Sequence, residues 1–171
     1  MAGKEPDVGP TAKAVADNVK RLRTDWDWNY TELSDRLRSA AGWSINAVGI
    51  RRIESGERRV TPDDLSALAV AFGVSPATLL MPAVRSAEPD DEIELTGVAR
   101  TLRASQAWLW LTARDTPEEG NVEVFLSFVK RACPSWVSEA ILENACAQAE
   151  RATEELYEQL WPGQGDPGGN D

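Results

Sequence analysis

Six arginines crowd one short stretch of this chain. Arg36, Arg38, Arg51, Arg52, Arg58 and Arg59 fall within residues 36–59 against Glu54 and Glu57 alone. Guanidinium groups carry fixed positive charge and planar forks of N–H donors, so such a cluster suits phosphate oxygens or the edge of a guanine. Just before Arg51 stand Asn46, Ala47, Val48 and Gly49. All four are short or slim, and a backbone so trimmed can approach a flat partner closely. The alternative is a solvated helix face whose arginines pair with neighbouring acids, and charge alone leaves both readings open.

The surrounding composition narrows the chemistry. The chain has 171 residues, 42% hydrophobic and 27% charged, values that exclude wholesale disorder. It holds no histidine, which removes Ser-His and Cys-His catalytic pairs and every imidazole metal site. Cys133 and Cys146 are its two cysteines, with no C-x-x-C spacing. A reducing, cytoplasmic setting is expected, without disulfide scaffold, metal or cofactor. No apolar run approaches the roughly 18 residues of a membrane span, so no membrane association is expected. The net charge is -10, but unevenly placed. Residues 1–82 balance 11 basic against 11 acidic side chains, and the remaining 7 basic and 17 acidic residues supply the whole excess. An acidic protein with one basic segment has a face for polyanions on a surface that otherwise repels them. A binder is expected, not an enzyme.

The elements that must hold those arginines can be read from periodicity and caps. Residues 1–11 read as a polar tail. Val15, Val19 and Leu22 recur at helical spacing over residues 12–25. Asn29 and Glu32 form a capping-box pattern opening a helix through Leu33 and Leu37 to about Ala41, with Gly42 as terminator. Ser44 and Asn46 offer a new start, followed by Val48, Ile50 and Ile53. Thr61-Pro62-Asp63-Asp64 combines an N-cap, a proline at the first helical position and acids at the positive dipole end. Leu65, Leu68, Ala69 and Phe72 continue that helix to Gly73, and Ser75-Pro76 begins a short fifth one ending before Pro82. Trp26, Trp28 and Trp43 are expected to pack around the first two helices.

Three separated blocks then resemble one family. They are Tyr30-Thr31-Glu32-Leu33-Ser34, the run Ile50-Arg51-Arg52-Ile53-Glu54-Ser55-Gly56-Glu57-Arg58, and Ala71-Phe72-Gly73-Val74-Ser75. Their order and types resemble the Cro/C1-type (XRE) helix-turn-helix family. The resemblance implies a DNA-binding five-helix bundle over residues 12–82 whose third helix enters the major groove. It implies base-edge or close groove contacts from Asn46, Ala47, Val48, Arg51 and Arg52, with Asn46 able to pair with adenine or merely to cap. Tyr30 and Thr31 would lie against a phosphate at the start of helix two, and Arg58 and Arg59 would meet flanking phosphates. Glu54 resembles a structural acid bonded within the bundle, while Arg52 has Glu54, Glu57 and Asp35 as possible ion-pair partners. The chain departs from the compact pattern in one place. Ser34 and Ile50 are sixteen residues apart, about six more than the family's spacing, so helix two is extended or Gly42-Trp43-Ser44-Ile45 forms a packed loop.

Beyond Pro82 the chain looks different. Residues 83–91 read as an acidic linker, and 92–161 as a mostly helical region with at most one short strand, around Ile93 and Leu95. Helices are expected over 102–113, 122–131 and 135–160, and residues 162–171 read as a tail. In the last helix Val137, Ile141, Ala145, Ala149, Ala152, Leu156 and Leu160 make one stripe. No Ser-Lys peptidase pattern accompanies Ser105, Ser127, Ser135 or Ser138, and Lys130 is the single lysine after Pro82. The overall expectation is a mainly α transcriptional regulator, a repressor acting on double-stranded DNA as a homodimer. Residues 92–161 would serve dimerisation, or sensing of a protein partner or small-molecule effector. The alternative is an antitoxin-like or phage-derived interaction protein whose acidic half binds a protein partner.

Overall fold

The computed structural model describes residues 8–83, 85–118 and 120–160 and is mainly helical. Eight helices and two short strands follow in order: α1 Pro10–Asp25, α2 Tyr30–Ala41, α3 Ala47–Glu54, α4 Pro62–Phe72, α5 Pro76–Leu80, β1 Glu92–Ile93, β2 Leu102–Arg103, α6 Ala104–Leu111, α7 Val122–Ala132 and α8 Ser135–Leu160. The chain divides into two compact units, residues 1–119 and 120–171.

In the first unit the local starts and stops seen in the sequence are realised in detail. Helix α1 begins at Pro10, two residues earlier than its apolar period shows, because Gly9 serves as N-cap and proline fits the first turn. The expected tail is therefore shorter, and residues 1–7 lie outside the described part. Asn29 Oδ1 accepts from the Thr31 and Glu32 amides at 2.8 and 3.0 Å, and Glu32 Oε2 accepts from the Asn29 amide at 2.7 Å. Helix α2 ends where Gly42 takes the left-handed conformation, φ 62°, which a residue with a Cβ adopts at a cost. Thr61 and Asp64 close the same reciprocal box on α4.

These helices enclose one core. Val19, Leu33, Leu37, Ile50, Leu68 and Leu79 are fully buried, with Ile45, Ile53 and Phe72 nearly so. Outside it Trp26 stacks on Trp28, centroids 5.4 Å apart, and Trp28 in turn stacks on Phe72 at 6.0 Å. Trp43 donates from its amide to the Leu37 carbonyl at the end of α2 at 3.3 Å and from Nε1 to Asp64 on α4 at 2.9 Å. Both readings of the lengthened turn hold in part. Helix α2 runs on to Ala41, and residues 42–46 then form a packed loop. Its Ile45 side chain enters the core, and its Ile45 carbonyl accepts from the Ser34 hydroxyl at 2.7 Å.

Residues 83–118 depart from expectation. The stretch 83–91 lies inside the first unit, folded into tight turns by backbone bonds such as Ser86 N–H to Ala83 O at 2.8 Å. Ala87 packs against a small cluster of Met81, Ile93, Leu95, Leu102, Ala104 and Ala107. Two strands stand where at most one was expected. Ile93 pairs with Leu102 and Glu92 with Arg103, antiparallel. The partner strand occupies the first two residues of the expected helix 102–113, with Leu102 buried in one cluster with Ile93 and Leu95. Asn18, buried on α1, donates from Nδ2 to the carbonyls of Leu79 and Met81 at 3.1 and 2.7 Å. This polar clasp satisfies the open end of α5, whose last carbonyls have no helical partner.

The second unit consists of α7 and α8, joined at Cys133 and Pro134. Asn121 caps α7, accepting from the Glu123 and Val124 amides, and Val129 is fully buried. Residues 161–171, including the expected C-terminal tail, lie outside the described part.

Replacing Asn18 by Ala should destabilise the protein by roughly 1–3 kcal/mol, because two buried carbonyls lose their donor. Chemical denaturation should report this as a lowered midpoint. An unchanged midpoint would show that water reaches the end of α5.

Candidate nucleic-acid interface

Helix α3 carries Arg51 and Arg52 at the centre of the basic stretch, and its two edges behave differently. Asn46 is its N-cap, accepting from the Gly49 amide at 2.7 Å. Ile50 and Ile53 turn into the core. What remains outward is one contiguous face: Ala47 half-buried, and Val48, Arg51 and Arg52 exposed. Helical spacing sets Ala47 above Arg51 and Val48 above Arg52, so the structure does bring these four together. Among the described residues the Arg51 side chain makes no hydrogen bond or ion pair. Arg52 approaches Glu57 at 3.7 Å, with both side chains more than half exposed. That is a weak surface pair, easily given up. Arg52 does not reach Glu54 or Asp35.

Two polar clusters fix how that face is presented. The first lies at the C-terminal end of α3. Glu54 receives a bidentate pair from Arg23 on α1, at 2.6 and 2.9 Å. The same guanidinium donates to the Trp28 carbonyl at 2.7 Å and sits 4.3 Å above the Tyr30 ring. The Glu54 hydrogen bonds hold Arg23 above its ordinary pKa, against the opposing effect of burial. The Glu54 side chain is only 4% exposed and that of Arg23 14%, so loss of either leaves the other without its buried hydrogen-bonding partner. Glu54 thus has the structural role its resemblance implies, but its partner comes from α1.

The second cluster underpins the N-terminal end of α3 and centres on Asp64. Burial alone would push this carboxyl up. Three donors outweigh it and hold Asp64 below the usual aspartate range: Trp43 Nε1 at 2.9 Å, the Thr61 amide at 3.2 Å and Arg58 at 2.9 Å. Arg58 therefore lies back against the domain, close to the first turn of α3. A Cβ built on Gly49 would come within 2.9 Å of Arg58 Nη1 and 3.0 Å of Ile45 Cγ2, so Gly49 is what lets helix, loop and guanidinium close together. A third of the Arg58 side chain stays exposed.

The remaining candidates divide. Thr31 is exposed on the first turn of α2, but its amide is already taken by Asn29. Tyr30 is half-buried beneath Arg23. Arg59 is exposed beyond the Gly56 turn. Of the other arginines in the basic stretch, Arg38 pairs with Asp35 at 3.0 Å and Arg36 donates to the Ala71 carbonyl at 3.4 Å. Arg23, Trp43 and Asp64 were not among the sequence candidates. Asp64 is legible as a cap, but its partners lie six and twenty-one residues away, beyond any local pattern.

A short helix whose buried side is pinned at both ends and whose outer side is short, apolar and basic is the arrangement of a helix-turn-helix domain. A family model described as helix-turn-helix matches residues 19–79. Over that segment, about a third of the chain, the sequence is similar to the Cro/C1-type (XRE) family, and the domain it forms supports a DNA-binding helix-turn-helix regulator. No curated protein matches the chain, and no solved structure does. None of the helices among the described residues is long and apolar enough to cross a membrane.

Two outcomes test the clusters. Glu54→Ala and Arg23→Ala should each cost about 3–5 kcal/mol, because each strands a buried charge. The double variant should cost far less than their sum in a denaturation cycle; additive losses would mean the pair is not coupled. Asp64 has a lowered folded pKa, so its contribution is present above about pH 4 and is lost as pH falls through the lowered value. Thermal melts should therefore show the gap between wild type and Asp64→Asn closing toward pH 2. A gap independent of pH would remove the carboxylate charge from the account.

Proposed function

We propose that this protein is a sequence-specific repressor that reads the major groove with the outer face of α3 and binds its operator as a homodimer. The observation that carries this reading is the division of labour among the arginines. Arg23 and Arg58 are engaged in holding the bundle, whereas Arg51 projects from the reading face without an internal partner. Arginine in that position can take guanine O6 and N7 as a bidentate pair. Val48, 57% exposed, offers a methyl surface to a thymine on the same face. Asn46 spends its Oδ1 on the Gly49 amide, which favours capping over adenine contact while leaving its amide nitrogen available.

The phosphates are approached from either side. Thr31 at the start of α2 and Arg59 after the Gly56 turn flank the reading face, and Arg58 keeps enough exposure to contribute. Tyr30 acts through the ring it presents to Arg23, which steadies the start of α2. A monomer of this kind reads a half-site, and two-fold pairing is the usual route to an operator of useful length. Repression follows where such an operator overlaps a promoter, since a bound dimer excludes polymerase from the groove it occupies. The acidic remainder of the chain repels non-specific DNA and sharpens the contrast between α3 and the rest of the surface.

Sequences selected from random duplex DNA should contain an inverted repeat. Against that site Arg51→Ala should cost roughly 1–3 kcal/mol and relax preference at one base pair. Arg59→Ala should weaken all sequences about equally and lower the salt slope by about one unit. Binding that is indifferent to salt overturns the reading, as does unaltered base preference in both Arg51→Ala and Arg52→Ala.

A further inference from the structure

The second unit is a helix pair of unequal lengths. α7 has 11 residues and α8 has 26, or about 17 and 39 Å of helix. A partner of that length can flank only the first part of α8. Exposure follows this mismatch. Val137, Ile141 and Leu142 near the start are partly covered and Ser138 is buried, whereas Ala145, Ala149, Ala152, Leu156 and Leu160 along the same stripe are exposed. Leu156 and Leu160 are 55% and 59% exposed, an apolar end that water does not favour.

The stripe also reads nearly the same in either direction. About a centre between Gln148 and Ala149, Val137 mirrors Leu160, Ile141 mirrors Leu156 and Ala145 mirrors Ala152. Large residues stand at both ends and alanines in the middle, where two backbones would come closest. Charge is uneven along the stripe. The last turn of α7 carries exposed Lys130 and Arg131, which balance the exposed Glu139 and Glu143 on the first half of α8, while the far part of α8 carries Glu150, Glu154 and Glu155 against Arg151. A parallel pair would bring two acidic ends together. An antiparallel pair lays each acidic end along the other's charge-balanced one, where Lys130 and Arg131 lie.

We infer that α8 pairs antiparallel with α8 of a second copy, with Ala145 facing Ala152 across a two-fold axis. The contact is isologous: the bare end of each helix covers the half-covered start of the other. This rests on the homodimer reading and assigns it a surface.

The full chain with Cys133 and Cys146 changed to Ser is the starting protein for the test. Copies carrying Ala145→Cys and copies carrying Ala152→Cys are mixed and mildly oxidised. The expected result is a covalent dimer that joins one variant to the other, in excess over either variant joined to itself. Predominant Ala152→Cys self-linkage means a parallel pair and overturns the inference. So does an absence of linkage in every mixture. Lys130→Glu with Arg131→Glu should weaken self-association at least tenfold at low salt, read by sedimentation, and adding Glu154→Lys with Glu155→Lys should restore it. Loss without restoration counts against the antiparallel arrangement. Stoichiometry on operator DNA separates the two levels. Two chains per site without α8 linkage refutes this surface and leaves the dimer standing, while one chain per site refutes both.

Discussion

The Arg23–Glu54 pair is the constraint on which the reading domain depends. One guanidinium joins the end of α1, the Trp28 carbonyl, the Tyr30 ring at the start of α2 and the last residue of α3. An eight-residue helix has little stability of its own, because nucleation costs more than so few hydrogen bonds return. Its orientation must come from outside. Apolar contacts at Ile50 and Ile53 press it onto the core without fixing its rotation, since hydrophobic burial is not directional. A bidentate ion pair is directional, and at this depth neither partner can leave without stranding the other.

Asp64 does for the start of α3 what Glu54 does for its end. The carboxylate gathers a loop tryptophan, a helix cap and Arg58, and the first turn of α3 rests against that assembly through Gly49. Two buried acids thus take up two basic groups that would otherwise compete for anions at the surface. The consequence is functional as well as mechanical. The arginines left on the outer face differ from those consumed inside by position rather than by chemistry, so a basic cluster that looks uniform in sequence becomes a sorted one.

The same contrast between covered and bare surface runs through the second unit. Its short helix and its long one leave an apolar stripe exposed among the described residues, and the arrangement of acids and bases on the pair is uneven along its length. Association between copies is a natural use for such a surface. It would place the requirement for two-fold symmetry on α8, a different element from α3.

Much of this was legible from residues alone. The caps at Asn29, Thr61 and Ser75, the glycine stops at Gly42 and Gly73, and the inward turn of Ile50 and Ile53 are local matters, set by backbone hydrogen bonding and period, and the structure repeats them. The helix-turn-helix assignment followed from three ordered blocks. What sequence could not supply were pairings between distant positions: Arg23 with Glu54, Asp64 with Trp43 and Arg58, Asn18 with the end of α5, and Ile93 with Leu102. Each joins groups whose separation in the chain carries no periodic signal, and each polar one is decided by burial, which gives a hydrogen bond its weight and does not exist until the chain has closed around it. Arg51, Arg52, Arg58 and Arg59 look alike in the sequence. Only the folded domain determines that Arg58 turns inward to Asp64 and Arg51 does not.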